Sequence, residues 1–169
     1  MFYVSEVLKT MDNIKIALAN TESPCVEIFD GFDINSFDSY GNNILHYLIK
    51  GDTSCELLQT YLSALVCLSI DLEARQTRKG KTALHICAQK GRRQLVVKLI
   101  EAGAKIDSKC DAGNTPLFDA VYSYSGIDSF IIEFLLENGA DPNIENKFGN
   151  SPRSMAQEIA NYDVKKFFQ

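Results

Sequence analysis

The stretch Gly80–Asp107, GKTALHICAQKGRRQLVVKLIEAGAKID, decides how the chain is read. Gly80 supplies a residue that tolerates positive φ in a tight turn. Thr82 is a helix N-cap, its hydroxyl placed to accept from a free N–H of the first turn. Leu84, Cys87 and Ala88 then fall on one helical stripe. Gly91 ends that short helix, and the greasier run QLVVKLIEAG builds a second helix closed by Gly103. The order is turn, cap, short helix, turn, second helix, connector.

The phrase is written four times. GNNILHYLI starts at Gly41, GNTPLFDAV at Gly113 and GNSPRSMA at Gly149, so the marker glycines stand 39, 33 and 36 residues apart. The cap column reads Asn43, Thr82, Thr115, Ser151, and Pro116 and Pro152 follow their caps, where a missing N–H costs nothing. Leu45, Leu48 and Ile49, then Leu117, Ala120 and Val121, repeat the apolar stripe. Gly51 and Gly126 end the corresponding short helices, and LLQTYLSALVCL and FIIEFLLENG form the second ones. GFDINSFDSYG, from Gly31 to Gly41, matches the connector, so a further helical pair is expected before it. A period in this range marks stacked structural units.

Period, cap, histidine and glycines agree in order, and on them the chain resembles the ankyrin-repeat family over about residues 31–156. The resemblance implies an all-α ankyrin-repeat solenoid. Its helix–turn–helix units are joined by β-hairpin-like fingers, and the fingers and first helices line a concave face. One domain is expected over 1–169, with an N-terminal cap unit (1–37), repeats at 38–77, 78–110 and 111–146, and a C-terminal cap unit (147–169). Three departures stand out. Ser69 occupies the place of a helix-closing glycine in a first repeat six residues longer than the second, so its outer helix or finger is expected to be long. YSYSG (122–126) lengthens the third repeat. Arg153 and Ser154 replace the expected leucine and histidine, as suits a terminal unit with a polar outer face.

The resemblance also places His46 and His85 in a structural column, three residues after the cap, where an imidazole ties neighbouring units together. No catalytic residue is expected. Asp33, Asp71, Asp107 and Asp141 recur about one repeat apart, so they string along the stack instead of converging as an acid–base pair. No phosphate-loop, nucleophile-elbow or H-E-x-x-H motif is present. Cys25, Cys55, Cys67, Cys87 and Cys110 are odd in number and form no C-x-x-C, which predicts reduced thiols, no metal and no cofactor. A formal net charge of −5 disfavours nucleic acid. No apolar run reaches membrane-spanning length, and MFYVSEVLKTMDNIKIALAN has no basic head, so no membrane or secretory role and a cytoplasmic location are expected.

The family register instead assembles a binding face. Tyr40 and Phe148 precede marker glycines at finger tips, and Tyr122 and Tyr124 stand at the end of a first helix and in its inserted turn. Large rings there make interface anchors. Arg78, Lys79, Lys81, Gln89 and Lys90 put a positive patch on the second repeat of an acidic chain, and Asn42, Asp111, Asn114 and Lys147 complete the finger set. Lys79, Lys81 and Lys90 are expected on one side of the concave surface, beside Tyr122. The expected function is a non-catalytic protein–protein interaction module, monomeric when free, that binds a partner protein with an acidic surface. Its output would be masking or inhibition, in the narrowest form as an immunity protein neutralising a cognate toxin, which some small bacterial ankyrin proteins resemble. The alternatives are a host-directed adaptor or effector, a viral-type ankyrin inhibitor, or an enzyme with a site dispersed over the repeats.

Overall fold

Each cap residue is followed by a seven-residue helix in the computed structural model, which describes residues 33–50, 55–158 and 163–168. These inner helices are α1 (Ile44–Lys50), α3 (Ala83–Gln89), α5 (Pro116–Tyr122) and α7 (Pro152–Glu158). The outer helices are α2 (Cys55–Cys67), α4 (Arg93–Glu101) and α6 (Phe130–Glu137). The Thr115 hydroxyl accepts from the Phe118 N–H at 3.3 Å, as a cap should. At Thr82 the backbone N–H donates to the His85 ring at 3.3 Å, so histidine fills the reciprocal place usually held by glutamate or glutamine.

The inner helices pack in series, α1 on α3, α3 on α5 and α5 on α7, while α2 packs on α4 and α4 on α6. Leu45, Leu84 and Leu117 fill the same buried place in successive units, and Leu65, Leu99 and Leu135 do so in the outer layer. Each such leucine contributes about 1.5–3 kcal/mol of burial. The expected solenoid is the observed architecture, all-helical with no strand among the described residues.

The fingers are turns closed by pairs of backbone bonds, Gln76 N–H to Lys81 O at 3.2 Å with Gly80 N–H to Gln76 O at 2.8 Å, and Cys110 N–H to Asn114 O at 2.9 Å with Gly113 N–H to Cys110 O at 2.8 Å. Adjacent fingers are joined the same way: Thr77 to Tyr40 O, Asp111 to Lys79 O and Lys147 to Ala112 O, each at 3.0 Å. The marker glycines serve this contact as well as their own φ. A Cβ on Gly113 would lie 3.0 Å from Lys147 N and 3.1 Å from Asn146 Cα, in the backbone of the next finger.

Most of the extra length of the first repeat, four of six residues, went into its outer helix: α2 has 13 residues, against 9 in α4 and 8 in α6. Ser69 takes the glycine's conformation, with φ of 63°. At the C-terminus a 3₁₀ turn, Lys165–Phe168, folds against α7 and buries Phe168, with Val164 buried just ahead of it. Arg153 ties this turn down by donating to Phe168 O, and donates to Asn143 Oδ1 at 3.0 Å. Ser154 bonds within its own cap, accepting from Ser151 N–H at 2.9 Å, and reaches no further unit. Gly51, and the N-terminal cap unit apart from residues 33–37, lie outside the described residues.

Two substitutions separate the glycine's two roles. Gly113→Ala is expected to cost more than about 2 kcal/mol in urea unfolding, because it meets both an unfavourable φ and the next finger. Gly139→Ala, at φ of +91° with nothing within 4 Å of a Cβ, is expected to cost about 1 kcal/mol from φ alone. Ser69→Gly, which relieves the left-handed serine, is expected to gain up to about 1 kcal/mol.

Candidate protein-binding face

Two side-chain columns leave the scaffold toward the concave side. The residue seven after each cap closes an inner helix, giving Lys50, Gln89, Tyr122 and Glu158; the residue before each marker glycine tips a finger, giving Tyr40, Lys79, Ala112 and Phe148. Tyr40, Tyr122 and Phe148 are 66%, 66% and 76% exposed, high for rings of this size. Together the columns frame two adjoining hollows of about 570 Å³ and 390 Å³.

The larger hollow has an aromatic and aliphatic lining, Phe118, Tyr122, Phe148 and Met155, with Asp111 and Asn114 from the third finger. The smaller is lined by Tyr40, Asn42, Lys50, Gln76, Ile86 and Lys90. Arg78, Lys79, Lys81 and Gln89 line both, so the second finger is their common wall. Lys79, Lys81 and Lys90 therefore do meet on one side, in the smaller hollow, and Tyr122 belongs to the neighbouring one.

Four of the predicted contact residues have other employment. Lys81 is only 8% exposed; its ammonium sits 2.9 Å from Asp119 Oδ2 and donates to Gln89 Oε1 at 3.0 Å. It is a neutralised part of the wall, not a free cation. Asn42 is buried, its Oδ1 accepting from Lys50 Nζ and Gln76 Nε2, both at 2.8 Å, and its amide donating to Asp38. Tyr124 is half-buried and packs edge-on against Phe167, with ring centroids 6.0 Å apart. Lys147 is exposed but lines neither hollow, and its N–H holds Ala112 O.

Sequence reasoning missed Asp119, Lys50, Phe118 and Met155. The signal for Asp119 was present. It stands four residues after its cap, where the other repeats have Tyr47 and Ile86, and a carboxylate inside an apolar stripe calls for a cation one repeat away. Lys50 lines the face because it closes the inner helix, one residue past buried Ile49. Burial is the main cause of its lowered pKa; Asp38 opposes that shift and the Lys90 charge adds to it.

Two histidine ties hold the register of the face. His85 Nε2 lies 2.9 Å from Asn114 O in the next unit, and its Nδ1 lies 2.9 Å from the Thr82 hydroxyl. The hydroxyl can donate to Nδ1, so a neutral ring protonated at Nε2 satisfies both contacts. His46 makes the same tie, with Nε2 3.2 Å from Lys81 O, but its Nδ1 lies 2.7 Å from Asn43 Oδ1, an acceptor, so a neutral ring donates to one of these two oxygens and not to both. Burial lowers the pKa of both rings; the backbone contacts to Lys81 and Asn114 oppose it.

The carboxylate column is engaged locally. Asp33, Asp71 and Asp141 each accept from the N–H two residues on, and Asp107 accepts from Asp141 N–H at 3.2 Å. Among the described residues no group of histidine, cysteine and acidic side chains could hold a metal ion, and no helix is long and apolar enough to cross a membrane. Cys87 and Cys110 are buried and Cys67 is exposed, and none of the three is in a disulfide; the side chains of Cys25 and Cys55 fall outside the description.

Helical pairs stacked with their fingers on one side define a repeat solenoid whose working surface is its concave face. The chain belongs to the ankyrin-repeat family: residues 59–146 match it as ankyrin repeats in three copies. The family's repeats form a protein–protein interaction module. The chain is similar to the B-cell lymphoma 3 protein homolog of Mus musculus, 32% identical over 117 residues that cover 69% of this chain and 25% of that protein. It is also 27% identical over 135 residues to an intracellular phospholipase A2 of Caenorhabditis elegans, covering 77% of this chain and 12% of that protein. A putative ankyrin repeat protein of Fowlpox virus is 30% identical over 138 residues, 79% of this chain and 39% of that protein. The chain thus spans well under half of the length of these relatives.

If His85 is a tie, His85→Ala is expected to destabilise the fold by about 1–3 kcal/mol, because Asn114 O keeps only its bond from Cys110 N–H and Thr82 loses its contacts to the ring. The lowered pKa fixes the sign with pH. Below about 6.5 the unfolded chain takes up a proton that the folded ring resists, so stability is present above that pH and falls as pH drops through it. Chemical unfolding between pH 7.5 and 5 checks this, and the acid loss should be smaller in the alanine variant.

Proposed function

We propose that this protein binds a partner protein through its concave face, contributes no catalysis, and acts by occupying the partner's surface. The observation that carries the reading is the concave face itself. In a chain of net charge −5 it gathers Arg78, Lys79, Lys50 and Lys90 beside the exposed rings of Tyr122 and Phe148. Such a surface suits a partner with acidic groups around an apolar centre. Masking or inhibition is the output proposed, with toxin neutralisation its narrowest form. The protein is proposed to be cytoplasmic and monomeric when free. The carboxylates, engaged in local turns, support no acid–base site. An adaptor or viral-type inhibitor would use the same face, and the similarity to a fowlpox ankyrin protein keeps that alternative alongside.

Affinity capture from the native host, followed by binding kinetics with the captured protein, tests this. Arg78→Glu with Lys79→Glu is expected to slow association and make the remaining binding less salt-sensitive. Tyr122→Ala is expected to speed dissociation at a cost of about 2 kcal/mol. Lys81 is left intact, because removing it strands buried Asp119. Parental kinetics in both variants would move the binding site off this face.

A further inference from the structure

The two hollows differ in chemistry, and that difference has a direction along the stack. The smaller hollow is lined by Lys50, Lys81, Lys90, Arg78 and Lys79, with no carboxylate in its lining. Asp119 neutralises Lys81, but among the described residues no ion pair joins any of the other four to an acid. Lys90 reaches across to Lys50 O at 3.5 Å, which crowds two ammonium groups at the ends of α1 and α3. The larger hollow carries the apolar side chains, Met155 and buried Phe118 with the exposed rings of Tyr122 and Phe148, alongside Asp111, Asn114 and the Lys81–Asp119 pair. Because Arg78, Lys79, Lys81 and Gln89 line both, the hollows adjoin across this wall, and together they make up the groove of the concave face.

We infer that this groove takes a single segment of a partner protein, read in one direction: aspartate or glutamate side chains over the Lys50–Lys90 hollow, and an adjoining aromatic or large aliphatic side chain in the Tyr122–Phe148 hollow. This rests on the concave-face reading above and adds to it the occupant and its polarity. Carboxylates are favoured over one phosphate because the cations come from three separate places, the end of α1, the second finger and the end of α3. With Lys81 paired to Asp119, three of the remaining four are lysines, which act as dispersed point charges and form no converging fork. An apolar segment without acids would leave the ammonium groups partly desolvated and unpaired, and an acidic segment without an anchor would leave Tyr122 and Phe148 in water. Volumes of about 390 and 570 Å³ hold one or a few side chains each, as a peptide segment supplies.

The test is selection of a phage-displayed library of random 16-residue peptides on the full chain. Enriched peptides are expected to carry two or more acidic residues to one side of an aromatic or leucine residue, in one order. A selected peptide spin-labelled at its acidic end should broaden the amide signals of Lys50 and Lys90, and labelled at its apolar end those of Tyr122 and Phe148. Arg78→Glu with Lys79→Glu, and Tyr122→Ala with Phe148→Ala, should each weaken it at least tenfold. No enrichment, enrichment without carboxylates, both orders in equal number, or the reverse label pattern overturns the inference. The concave-face reading survives those results if the captured partner's kinetics still respond to the substitutions, and falls with the inference if neither partner nor peptide responds.

Discussion

The hydrogen bond from His85 Nε2 to Asn114 O fixes how one unit sits on the next, and the concave face depends on that setting. A seven-residue helix is too short to be stable alone, and a helical pair cannot bury its own apolar side. Stacking supplies the missing partner, but leucine contacts are forgiving of small slips. The imidazole is not: it needs the carbonyl of the following finger at one distance and angle. His46 makes the same demand on Lys81 O one unit earlier. The finger-to-finger bond from Asp111 N–H to Lys79 O then holds the other side of the junction.

Once that register is set, a side chain's function follows from its column. Residues on the apolar stripe and at the caps are consumed by stacking. Those before a marker glycine or at the end of an inner helix face the concave side, and there the chain places Tyr40, Lys79, Phe148, Tyr122 and Lys50, the last also holding Asn42. The Lys81–Asp119 pair lies between these regimes. It spans two repeats at 2.9 Å, nearly excluded from water, and forms the wall between the two hollows. Breaking one partner of such a pair costs more than the pair contributes, so it specifies the junction more than it stabilises it.

Local signals made the scaffold legible. Glycines with positive φ and caps repeat four times and the leucine spacing three, each acting within one turn, so units and departures alike could be read, including Ser69. Much of the face was legible for the same reason, since its columns are fixed offsets from the glycines. What was hidden depends on distance across repeats. Nothing local says that Lys81 turns inward to meet Asp119, or that Asn42 is held by Lys50 and Gln76. Tyr124 was misplaced because its contact, Phe167, comes from the C-terminal turn, whose return to the stack carries no repeat signal.

The central claim is that the concave groove, not the outer helices, is the working surface. Hydroxyl-radical footprinting of the protein alone and bound to its captured partner tests it most directly. The account predicts that Tyr40, Tyr122 and Phe148 become protected while Leu68 and Phe130, exposed on the outer side, keep their reactivity. Protection of Leu68 and Phe130 with the three finger and inner-helix rings still reactive would contradict it.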